Sequence, residues 1–139
     1  MIQSASSNPS EMYGSIVLLA GETPMIRDNV QVPLQHHQVC VMMTSDVIHA
    51  RFLIVKEAPA LVLIDEELPV LGGYQACHIL RLDLPPQALP ILFLHSKKDP
   101  VDPHQTLRAR LAGATADLTL PMDANEFVQS VKAYLSKGI

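Results

Sequence analysis

Asp65 is the residue of this 139-residue chain best placed to do chemistry. It closes the apolar run Ala60-Leu-Val-Leu-Ile-Asp65, and Glu66 and Glu67 follow it directly. A carboxylate where a buried strand ends faces the crevice in which parallel sheets hold their ligands. It can act there as a nucleophile if a donor is held in line and its charge is neutralised. Three further positions sit at comparable points: Glu22 after the run at 15–20, His95 after the run at 91–94, and Lys97-Lys98 just beyond it. Glu66 and Glu67 have the types of an acid–base pair, but adjacent carboxylates at a strand end ordinarily face water. A lone imidazole such as His95 is more often a hydrogen-bonded structural group than a metal ligand or phosphohistidine. His36-His37 lack further ligands at suitable spacing and read as a polar turn. Gly72 and Gly73 are too few and wrongly placed to cradle a phosphate.

The elements that must hold these residues follow from the apolar spacing. The run ending at Asp65 lacks polar alternation, so it predicts a strand covered on both faces. Residues 15–20, 39–43 and 91–94 read the same way, and 116–119 gives a fifth, shorter strand. Helices are expected between them. Pro24 opens the first, with Ile26, Val30 and Leu34 on one face, and Pro33 within it is expected to kink or end it. Ser45 is the expected cap of a second helix running to about Glu57, and a third runs from about Gly73 to Leu82. Asp102, Pro103 and Gln105 predict a fourth helix start, with Leu107 and Leu111 on one face and Gly113 at its end. Asp123 and Glu126 predict a capping box for the last helix, whose Phe127, Val131, Tyr134 and Leu135 form an apolar stripe. Strand and helix alternating five times at this loop length specify an α/β parallel sheet with helices on both faces. Residues 1–13 read as a disordered arm, and 14–139 as one domain.

Bulk composition narrows the function classes. Apolar residues make up 48% and charged ones 17%, which describes a chain that packs a core. The net charge of −4 argues against nucleic acid as the direct ligand. No apolar run nears the roughly 20 residues of a membrane helix. Cys40 and Cys77 form no metal-type cluster and read as buried thiols of a cytoplasmic protein.

From about Ser15 to Ser136 the chain resembles the receiver domain of two-component response regulators. The resemblance rests on the order and length of the elements and on Asp65 closing the third strand with Pro69 and Gly73 after it. Gly113-Ala114 through Pro121, and Pro24-Met-Ile-Arg27 after the first strand, complete it. It implies a flavodoxin-like, doubly wound five-stranded sheet of order 2-1-3-4-5 with five helices. It also implies that Asp65 is the phosphoacceptor, served by Mg²⁺ on an acidic pair and a backbone carbonyl, by a lysine, by a hydroxyl and by a mobile aromatic residue.

This sequence departs from that pattern at most of these positions. The acidic pair falls on Gly21 and Glu22, the carbonyl on Glu67, the hydroxyl on His95, the aromatic on Asp117 and the lysine on Leu120. Glu22, Asp65 and the Glu67 carbonyl supply at most a weak or vestigial Mg²⁺ site. Lys97 or Lys98 would have to replace the missing cation, although a solvated loop is the simpler reading. Leu120→Lys with Gly21→Asp is expected to raise Mg²⁺ affinity.

The resemblance therefore implies a pseudo-receiver, not an enzyme, working by protein–protein contact in a phosphorelay with little or no phosphorylation. Its expected partners are a histidine kinase, an output protein or another copy of itself. The expected partner face carries Leu107, Leu111, Asp117 and Phe127. With no second domain expected after Ile139, output would pass through another molecule. The alternatives are an active single-domain regulator phosphorylated at Asp65 with Mg²⁺, or a flavodoxin-like nucleotide-binding enzyme, against which the lack of a Gly-rich first loop counts.

Overall fold

Uninterrupted apolar runs become strands covered on both sides. In the computed structural model, which describes residues 16–84, 88–98 and 100–137, they are β1 (Val17–Ala20), β2 (Val41–Thr44), β3 (Leu61–Asp65), β4 (Ile91–Ser96) and β5 (Ala116–Leu120). They pair in parallel in the order β2-β1-β3-β4-β5, which is the order that the resemblance implies. The arm expected over 1–13 lies outside the described residues.

Five helices cover the sheet: α1 (residues 24–36), α2 (Val47–Glu57), α3 (Gly73–Arg81), α4 (Gln105–Leu111) and α5 (Ala124–Lys137). Alternation along each strand divides the apolar side chains into two layers. Leu18, Ala20, Val62, Ile64, Ile91 and Phe93 meet α2 and α3 on one face. Val17, Leu19, Leu61, Leu63, Leu92 and Leu94 meet α1 and α5 on the other.

Pro33 does not end α1. The helix runs through it because residues Arg27–Gln31 widen into a π turn, in which the Val32 N–H reaches back to the Arg27 carbonyl. The wider turn relieves the clash an interior proline makes with the carbonyl four residues earlier. It also offsets the drift that strict four-residue spacing suffers on a regular helix, so Ile26, Val30 and Leu34 are all fully buried.

Three expected boundaries move. Asp46, not Ser45, caps α2, its carboxylate accepting the Ile48 N–H at 2.8 Å. Asp102 caps a turn before α4, accepting the His104 N–H at 2.9 Å, and the helix itself begins at Gln105. β2 starts at Val41 because Gln38, just before it, is left-handed (φ 64°). The box at the start of α5 forms on one side, with the Glu126 N–H donating to Asp123 at 3.0 Å. Cys77 is buried, and burial pushes its thiol up to about 11, whereas Cys40 is only half-buried.

Candidate functional site

The carboxyl ends of β3, β4 and β5 carry Asp65, His95 and Leu120, and Asp117 stands near the start of β5, level with Phe93. Asp65 is 1% exposed. Its Oδ1 accepts the Glu67 N–H at 3.0 Å, and its Oδ2 is buried without a hydrogen-bond partner. Burial pushes the Asp65 carboxyl above its ordinary range, and the charges of Glu67 and Glu66 add to that. The Glu67 N–H and, more weakly, the Thr23 hydroxyl pull the other way.

Gly21 is what lets Asp65 tuck in so tightly. A Cβ at position 21 would lie 2.7 Å from the Asp65 Cβ. The expected repair Gly21→Asp is therefore refused by contact with the very residue it should assist. A Cβ on Gly73 would come within 2.5 Å of the Asp65 carbonyl oxygen, so this glycine lets the start of α3 approach the β3 backbone closely.

Glu66 does not face water, as its neighbours suggested it would. It turns toward β4, where its Oε1 takes the Lys98 ammonium at 2.6 Å and the Ser96 N–H at 3.1 Å. Burial alone would raise the Glu66 carboxyl, but Lys98 and the Ser96 N–H outweigh it and hold it below the ordinary range. Lys98 is thus neither a solvated loop residue nor a substitute cation for Asp65. It is held by the adjacent carboxylate.

His95 is fully buried and its Nε2 lies 3.0 Å from Asp117 Oδ2. Its ring centroid is 4.8 Å from that of Phe93 and 6.2 Å from that of Tyr74. Its Nδ1 is buried without a hydrogen-bond partner. Asp117 also accepts from the Thr106 hydroxyl at 2.8 Å, and Gln105 donates to Thr119 at 3.0 Å, which ties α4 to β5. Leu120 is 1% exposed and packs into the layer shared with Phe127. Ser96 falls on the opposite side of β4 from His95, as strand alternation requires.

These side chains do not fit a resident Mg²⁺. Mg²⁺ keeps several waters and near-octahedral oxygen ligands, whereas Asp65 is 1% exposed and its side chain packs against Gly21. Glu22 and Glu67 are both exposed. Among the described residues, no three acidic, histidine or cysteine side chains gather closely enough to hold a metal.

Two members of the expected partner face are corrected. Phe127 is fully buried and belongs to the core under α5. The Asp117 side chain is 11% exposed and turned inward to His95. Leu107 and Leu111 do stand out, at 56% and 75% exposure.

Sequence reasoning missed Glu66, Thr106 and Tyr74 as parts of this network. Glu66 had a usable signal. An acid just past β3 and a base two residues past β4 must stand side by side, because neighbouring parallel strands end together.

The burial of Asp65 has a measurable consequence. A carboxyl raised in the folded state binds its proton more tightly there, so this site weakens folding as pH rises above 3.8, its unfolded value. Glu66, held low, does the reverse: its contribution is present above 4.5 and fades as pH falls through its lower folded value. Asp65→Asn, which removes the charge that burial disfavours, is accordingly expected to stabilise the protein at pH 7. Urea unfolding at several pH values checks this, since the gain should shrink toward zero below the unfolded value of 3.8.

No family model matches the chain. It is 30% identical over 121 residues to the DNA-binding dual master transcriptional regulator RpaA of Synechocystis, covering 87% of this chain and 49% of that protein. Response regulator Rre1 of the same organism is 30% identical over 125 residues, covering 87% and 52%. The chain thus spans about half the length of both relatives. A structure described as a response regulator of Chloroflexus aurantiacus superposes with a TM-score of 0.75 at 25% identity, covering 87% of this chain and 97% of that one.

Proposed function

Starting from a chain that is a response-regulator receiver domain of two-component signalling, we propose that it works as a pseudo-receiver. It signals by protein contact, with little or no phosphorylation at Asp65, and it is not an enzyme. The observation that carries this reading is the assignment of charges at the strand ends. The Lys98 ammonium is bound to Glu66 at 2.6 Å, and the position where the resemblance implies a lysine is the buried Leu120. A carboxylate attacking phosphorus must approach an anionic group, and without a cation that approach is opposed.

The parts that would transmit the event are also fixed. Asp117 accepts from both His95 and Thr106, which fixes the β5 position where the resemblance implies a mobile ring. In this reading α4 and β5 form one rigid face, and Leu107 and Leu111 offer it to a histidine kinase or an output protein. The protein acts in the cytoplasm, without membrane or nucleic acid as its direct ligand and without a resident Mg²⁺. The described residues include no helix long and apolar enough to cross a membrane. Residues 14–139 are read as one receiver-like domain.

A second reading is favoured by one observation: Asp65 is still present at the end of β3 with an oxygen that lacks a partner. It would make the protein an active regulator phosphorylated at Asp65 with Mg²⁺. Incubation with Mg²⁺ and acetyl phosphate, followed by intact mass measurement, separates the two. The pseudo-receiver reading expects no stoichiometric gain of one phosphoryl group. A stoichiometric adduct that Asp65→Ala abolishes overturns it.

A further inference from the structure

Helix α2 is apolar on two sides. Val47, Ala50 and Leu53 face the sheet, while Ile48, Phe52 and Val55 stand out at 64%, 57% and 85% exposure. The outward three recur at i, i+4 and i+7, the spacing of a ridge that packs against another helix. Beside this ridge, between α2 and α3, lies a groove of about 420 Å³ floored by Leu80 and Leu84 and edged by the Arg51–Asp83 ion pair. A second hollow of about 540 Å³ continues from Ile48 toward Leu68 and Ile79. Single exposed apolar residues are ordinary, but a contiguous patch with its own hollows marks a contact surface.

At the rim of the second hollow, Val70 is fully exposed with φ 74°. A β-branched residue in the left-handed region is a costly backbone state. An apolar side chain held there with no cover gains only when another surface closes over it.

Ile48, Phe52 and Val55 form both the ridge and one wall of the groove, so a second copy turned about a twofold axis can offer its ridge to this groove while its groove receives this ridge. Charge supports the same occupant. The exposed Asp46 stands at the start of α2, and Lys56, near its end, lies 5.6 Å from the Phe52 ring centroid and so on the ridge face. Two α2 helices crossing antiparallel set the acidic start of each beside the basic end of the other, with their helix dipoles opposed. A surface that carries both halves of a contact is closed by one twofold axis.

We propose that two copies of this chain associate through the α2 face, ridge into groove, about a twofold axis near Phe52. This surface lies across the sheet's α2–α3 layer from the α4 residues Leu107 and Leu111, and the proposal does not depend on whether Asp65 is phosphorylated.

Sedimentation equilibrium over a range of protein concentrations tests it. The chain is expected to dimerise with a Kd on the order of 10 µM. Val55→Glu and, separately, Phe52→Glu should each weaken the dimer at least about tenfold, with unfolding midpoints read well below the dimer Kd unchanged because both side chains are exposed. Lys56→Gln should weaken it less and reduce its salt dependence, while Leu107→Glu should leave it intact. A chain that stays monomeric up to about 1 mM overturns the proposal and leaves the face to a different partner. A dimer insensitive to both ridge substitutions, or one lost with Leu107→Glu, overturns it as well.

Discussion

Leu120→Lys is expected to raise the rate at which Asp65 takes a phosphoryl group from acetyl phosphate by about 10²–10³-fold, the range that single electrostatic contacts carry in other active sites. Leu120 ends β5 in register with Ser96 on β4, and β4 in turn flanks β3, which Asp65 closes. A lysine stem there could keep its methylenes in the layer that Leu120 now occupies and extend its ammonium over the strand ends. The positive charge would lower the barrier for the Asp65 oxygen to approach phosphorus, and it would favour the ionised carboxylate that burial now disfavours. The time course of mass gain for the two proteins, with Mg²⁺ in the buffer, measures the effect. An unchanged rate would show that the missing ammonium is not what limits Asp65. The burial of Asp65 against Gly21 would then be the dominant defect.

Phe127→Ala is expected to cost about 3–5 kcal/mol of folding free energy, the usual range for emptying a buried aromatic site. Phe127 is fully buried on α5, in the layer that also holds Ile26, Val30, Leu34 and Leu120. The strands above and the helices beside it are held by their own hydrogen bonds, so the space can collapse only in part. Urea denaturation gives the value directly. A loss of under about 0.5 kcal/mol, as for an ordinary surface substitution, would return Phe127 to the partner face on which the resemblance placed it.

What the sequence reveals, and what it hides, depends on how many residues a feature needs. Strands β1, β3 and β4 are legible because a strand covered on both faces must be apolar at every position, and no other short element has that signature. The fold follows, since five such runs separated by helical spacing admit few topologies. Ends of helices are less legible: Ser45 and Asp46 are both good caps, and only the backbone decides which one bonds to Ile48. Pro33 is a marker whose effect is set by its neighbours, because a π turn upstream absorbs what would otherwise break α1. Phe127 and Leu107 have similar spacing on their helices but opposite exposure, which depends on what packs against each. In the candidate site, losses can be read residue by residue, as at Gly21 and Leu120. New pairings cannot, because Glu66 with Lys98 and His95 with Asp117 join residues 32 and 22 positions apart.

The sheet also acts as a partition. Its two apolar layers draw on alternate residues of the same strands and share no member. Damage under α5 therefore cannot be relieved by rearrangement beneath α2 or α3. Losses from one substitution on each side should sum, whereas two on the same side should interfere with one another.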